Sequence, residues 1–161
     1  MTNQIIVAAF WVVFAAIYAG FALKYKNQPK PAIINKNFSE HNIIASGLAL
    51  GLFFLSYPHQ HPLLPIAGIA LLAIGILMIF LARLALGARW CPHITAISKD
   101  QIVHKSIYRF MHNPIYIGQV LMMAGSGLAL QNPLFIVPTV LLASGNYQRA
   151  KREKHFLQNL Q

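Results

Sequence analysis

Tyr108-Arg109-Phe110-Met111-His112-Asn113-Pro114-Ile115-Tyr116-Ile117-Gly118 sets polar and aromatic side chains directly against the start of a long apolar run. Pro114 has no backbone N–H to donate, and Asn113 can accept a hydrogen bond from the turn that follows, so the pair predicts the N-cap and first position of a helix. Because the residues after it are apolar, that helix is expected to begin at a membrane edge. Its first N–H groups lack intrahelical partners and carry partial positive charge, which suits a carboxylate or another anion.

The rest of the chain supports the membrane reading. Of 161 residues, 57% are hydrophobic and only 10% charged, outside the usual range of soluble proteins. Lys and Arg total 13 against 3 acids, for a net charge of +10. Such a balance fits either nucleic acid or an anionic membrane face. The basic residues stand in short clusters between apolar runs, with no soluble basic domain left over, so the membrane is the expected partner and nucleic acid is not. Cys91 is the single cysteine, which excludes an internal disulfide and supplies no metal-binding pattern.

Five apolar segments follow in order: 5–23, 43–57, 63–82, 114–130 and 133–145. Each is read as a transmembrane helix, giving an all-α integral membrane protein of one domain, residues 1–161. The first is not read as a signal peptide, since no basic residue precedes it and large aromatics, among them Trp11, Phe14, Tyr18 and Phe21, fill it. Small residues in the second, Ala45 to Gly51, allow a neighbouring helix to come close. Gln131-Asn132 alone joins the last two segments, and Pro138 inside the fifth predicts a kinked or partly embedded hairpin. The tail from Tyr147 is basic, with Phe156, Leu157 and Leu160 on one side, and predicts a C-terminal amphipathic helix near the headgroups.

Basic residues cluster after the first, third and fifth segments and almost nowhere else. Five crossings with the N-terminus outside put all of them in the cytoplasm, as expected for a bacterial inner-membrane protein. This topology gathers segments 83–113 and 146–161 on one face. Arg83, Arg89, Arg109, His112, Tyr116, Arg149 and Glu153 then become neighbours. Guanidinium groups and the helix start would hold a carboxylate, while Trp90 and Tyr116 would face a cation. Glu153 stands out as one of only three acids.

Each signal has a plainer reading when taken alone. Asn113-Pro114 is a common helix start, Trp90 and Tyr116 fit an interfacial belt, Gly118 permits close helix packing, and Glu153 suits an ion pair with Arg149. His59-x-His61 and Cys91-Pro92-His93 lack further ligands and read as loops, so no metal site is expected. The joint order of the residues is what favours a functional site.

That order carries a resemblance. Leu86-Gly87-x-x-Trp90, then Tyr108-Arg109-x-x-His112-Asn113-Pro114-x-Tyr116-x-Gly118, then Glu153 followed by Leu157, resembles the membrane methyltransferases typified by isoprenylcysteine carboxyl methyltransferase and phospholipid N-methyltransferase. The likeness covers roughly the C-terminal half. The usual core reads Gly-Pro-Tyr-Arg-x-x-Arg-His-Pro-x-Tyr-x-Gly. Here Ser106-Ile107 stands for its Gly-Pro, His112-Asn113 for its Arg-His, and Glu153-Lys154 for the Glu-Glu pair of the tail.

The resemblance implies an S-adenosylmethionine site lined by Tyr108, Arg109, His112, Asn113, Tyr116 and Gly118 and closed by Glu153, with Trp90 beside it. It implies a lipophilic or small-molecule acceptor: a phospholipid amine, an isoprenylcysteine-like carboxylate or a thiol. His112 is the candidate base where the acceptor must lose a proton. Two other readings compete with it, a sterol-reductase-like membrane enzyme using a nicotinamide cofactor and a membrane protein with no enzymatic role.

Overall fold

The computed structural model describes residues 2–27, 33–35, 40–55, 61–87, 94–95, 106–111 and 113–159. They form a helical bundle: α1 (Thr2–Lys24), α2 (Glu40–Phe53), α3 (Leu63–Leu86), α4 (Pro114–Ala129) and α5 (Ile136–Asn159). Short 3-10 turns at Ser106–Arg109 and Pro133–Phe135 precede α4 and α5. One element is absent from the sequence reading, an antiparallel pairing of β1 (Ile33–Asn35) with β2 (Ile94–Thr95). It ties the segment after α1 to the segment after α3, so both leave the bundle at the same end.

Two helices, α1 and α3, are long and apolar enough to cross a membrane. At 24 residues α3 reaches roughly 36 Å, whereas the 14 residues of α2 reach only about 21 Å, short of a hydrocarbon core of about 30 Å. Large apolar side chains stay exposed along α1, α2 and α3, among them Ile5, Val12, Ile43, Leu50, Ile66 and Leu77. A surface of this kind suits lipid.

The centre of the bundle is the α3–α4 pair, which shares the most extensive contact. Glycines recur every seven residues on both helices, Gly68 and Gly75 facing Gly125 and Gly118. A Cβ placed on Gly75 would stand 2.7 Å from the Gly118 carbonyl, and one on Gly118 would stand 2.7 Å from Ile79. With no side chain at these positions the two backbones touch, a contact rich in dispersion where lipid offers no hydrophobic drive. Leu72, Ile79 and Met122 fill the gaps between them.

Polar ties fasten the outer helices to this pair. The Trp11 indole donates to Ser126 Oγ at 3.0 Å, and Ser126 donates in turn to the Met122 carbonyl at 2.8 Å. Gln4 at the start of α1 donates to the Phe53 carbonyl at the end of α2.

The α4–α5 joint departs from the reading in two ways. Gln131 takes the left-handed φ of 52° that so tight a joint demands, and its side chain bonds both backbone groups of His61. Asn132 is buried, accepts from the Leu134 N–H at 3.0 Å and donates to the Leu52 carbonyl. Pro138 therefore falls on the third residue of α5, where its missing N–H has no intrahelical partner to lose, and the expected kink becomes a helix start. The fifth apolar segment and the basic tail are also one continuous helix to Asn159, so the tail continues the fifth segment directly. No Pro follows Pro138, and the lone Gly145 is tolerated inside a helix at a cost of about 1 kcal/mol, so nothing forces a break.

Candidate functional site

The ends of α1 and α3, the starts of α2 and α4 and the second half of α5 meet at one end of the bundle. α3 stops at Gly87, whose φ of +53° favours glycine and lets its N–H reach the Arg83 carbonyl. Four residues earlier, the Arg83 side chain is 1% exposed. Its guanidinium lies 5.3 Å from the Tyr18 ring centroid and 5.0 Å from that of Phe21. The planar, delocalised cation thus sits on aromatic faces of α1.

Asn113 and Pro114 occupy the N-cap and first position of α4, as expected. The Asn113 side chain makes no capping bond; only its carbonyl is used, accepting from the Ile117 N–H at 3.2 Å. Two residues into α4, the Tyr116 hydroxyl donates to Glu153 Oε1 at 2.7 Å. Arg149, one turn before Glu153, donates to the same oxygen at 3.3 Å and lays its guanidinium 5.7 Å above the Tyr116 ring. Glu153 thus joins the start of α4 to the second half of α5, and the Tyr116 ring already bears a cation on its face.

Tyr108 comes from the 3-10 turn packed against α3. Burial holds its phenol above the usual tyrosine range, and the nearby Tyr18 and Glu153 raise it further, while Arg83 opposes them. Its hydroxyl is therefore a neutral hydrogen-bonding group that senses both Glu153 and Arg83. Ser106, which opens this turn, has φ +55°, a left-handed backbone on a residue that is not glycine.

Tyr108, Tyr116 and Glu153 are thus brought together, with Arg83 and Arg149 beside them. Arg109 is exposed at the rim, and Gly118 faces α3 rather than the polar cluster, because Gly75 and Ile79 cover it. His112, Trp90 and Arg89 lie outside the described residues. The sequence reading also missed four side chains beside this cluster: Tyr18, Asn42, Gln119 and Asn146. Asn146 is buried, and its position at the edge of an apolar run was the available signal, since a polar side chain there needs partners. Among the described residues, no group of three or more His, Cys, Asp or Glu could hold a metal.

The family model for phospholipid methyltransferase matches residues 63–160, from the start of α3 through α5. No curated protein and no solved structure gave a match.

Proposed function

This chain belongs to the phospholipid methyltransferase family, and on that premise we propose that it is a membrane enzyme moving a methyl group from S-adenosylmethionine to a lipid-phase or small membrane-soluble acceptor. The observation that carries the reading is the convergence of Tyr108, Tyr116, Arg149 and Glu153 at one end of the bundle.

The side chains present fit that cofactor. The Tyr116 ring accepts a guanidinium on its face and Glu153 adds a carboxylate beside it, so a sulfonium or ammonium would meet both an aromatic face and a negative charge. Arg109 and the N–H groups that open α4, which the Asn113 side chain does not cap, are the complement of a carboxylate. Asn113 and Gly118 shape that turn and its approach to α3, and Trp90 is retained as a cofactor-binding residue by the family resemblance alone. When bound, S-adenosylmethionine supplies an electrophilic methyl group on sulfur. The protein contributes orientation and exclusion of water; alignment alone is worth roughly 7–11 kcal/mol in favourable cases. His112 is assigned as base for an amine or hydroxyl acceptor, whereas a carboxylate or thiolate needs none.

The basic residues at this end, Lys24, Lys26, Arg109, Lys151 and Arg152, are all exposed. They favour its placement in the cytoplasm, with five helices embedded and the N-terminus outside. Thermal unfolding in detergent tests the assignment. S-Adenosylmethionine and its demethylated product should each raise the midpoint, and NADPH should not. Stabilisation by NADPH alone would replace this reading with the reductase.

A further inference from the structure

Asn146 is 3% exposed, and its side chain bonds two other helices. Its amide nitrogen donates to the Tyr116 carbonyl at 3.4 Å and to Gln119 Oε1 at 3.3 Å on α4, and its oxygen accepts from Asn42 Nδ2 at 3.0 Å on α2. One carbonyl orients the whole chain of amides. The Tyr116 backbone oxygen can only accept, so the NH2 of Asn146 must face it, and Asn146 Oδ1 must then face α2 and take the Asn42 proton. Gln119, having accepted from Asn146, turns its own NH2 away from α5, on the side where the Tyr18 phenol of α1 lies nearby. Asn42 Oδ1 is left as the terminal acceptor, and among the described residues that buried oxygen has no hydrogen-bond partner.

Asn146 precedes Glu153 by seven residues, two helical turns, on the same face of α5, and both grip the first turns of α4. We propose that Asn146 is a positioning residue: it sets the rotation and register of α4 against α5 so that the Tyr116 hydroxyl meets Glu153. Asn42 supports it from α2. One contact between two helices leaves a pivot, whereas two contacts a pair of turns apart remove it. α2 lies outside the region that the family model matches, so through Asn42 this chain extends the support of its site to a helix beyond that region. The inference rests on the proposed function only in what the aligned Tyr116–Glu153 pair is used for.

The test reads the pair directly and the cofactor separately, in the full-length protein in detergent. Tyrosine labelled with 13C at Cζ reports hydrogen bonding of each phenol, and Tyr116→Phe identifies the Tyr116 resonance. Asn146→Leu should move that resonance toward the value of a solvated phenol. It should also weaken S-adenosylmethionine binding about three- to tenfold, the effect of one hydrogen bond, and this loss should vanish in the Tyr116→Phe background. Asn42→Leu should move the resonance in the same direction by less, and it carries the test alone if Asn146→Leu does not fold. An unmoved Tyr116 resonance in whichever variant folds overturns the proposal, as does an equal loss of binding with and without the Tyr116 hydroxyl. If the wild-type protein binds no S-adenosylmethionine, the methyltransfer reading fails, and the resonance still decides the role of Asn146.

Discussion

The Tyr116 hydroxyl and Glu153 Oε1 lie 2.7 Å apart, although 37 residues separate them in the chain. A phenol donating to a carboxylate at this distance is a strong, charge-assisted bond. Arg149 completes it from one turn away on α5 and from above the ring. The three side chains act as one unit, and the start of α4 and the second half of α5 are held by it.

Removing a member of this unit should weaken cofactor binding more than it weakens the fold. Glu153→Ala should raise the S-adenosylmethionine dissociation constant by at least about tenfold, and Tyr116→Phe by about three- to tenfold. His112→Ala should also weaken it. Calorimetry in detergent checks all three, with ligand-free thermal midpoints to confirm folding. Wild-type affinity in both Glu153→Ala and His112→Ala would remove those residues from the site.

The glycine seam makes a sharper structural prediction. On Gly75 a methyl group would meet the Gly118 carbonyl at 2.7 Å and Met122 at 2.8 Å, so the two helices must separate. Gly75→Ala should cost about 1–3 kcal/mol, seen as a lower thermal midpoint. Gly47 on α2 has open space where its Cβ would lie, and Gly47→Ala should be neutral or slightly stabilising. Equal midpoints for the two variants would mean that α3 and α4 do not touch through these glycines.

Ser106 stands where the family pattern has glycine, and it holds a left-handed backbone, φ +55°. A side chain there costs roughly 1–2 kcal/mol, partly offset by the extra freedom glycine has when unfolded. Ser106→Gly should therefore stabilise the protein by about 0.5–1 kcal/mol in denaturant or thermal unfolding. A destabilised variant would place Ser106 outside that backbone region.

Tyr108 ties stability to alkaline pH. Its folded value is raised, mainly by burial, above the ordinary value of about 10. Between the two values the folded state keeps a proton that the unfolded state has released. Its contribution is therefore complete below about pH 10 and is lost as pH rises toward the folded value. Phenolate absorbance should accordingly show the same amplitude below pH 11 in wild type and Tyr108→Phe. One phenolate fewer in the variant would mean an exposed Tyr108.

Much of this protein follows from local pattern. Apolar run length and the placement of Lys and Arg depend only on neighbouring residues. They set the number and order of the helices, the start of α4 at Asn113-Pro114, and the end at which the polar residues gather. Tyr108, Tyr116 and Glu153 were readable as partners because successive helices that run up and down a bundle bring their segments to one end. Only the packed bundle decided the rest. Whether Pro138 kinks a helix or begins one depended on the turn that Gln131 and Asn132 make with His61 and Leu52, more than 65 residues away. Gly118 went to the seam rather than the site because Gly75 lay opposite it. Arg83 settled on Tyr18 and Phe21, and Asn146 on Tyr116, Gln119 and Asn42, because a buried polar group takes whatever partner the neighbouring helices supply, and sequence spacing carries no record of which helices those will be.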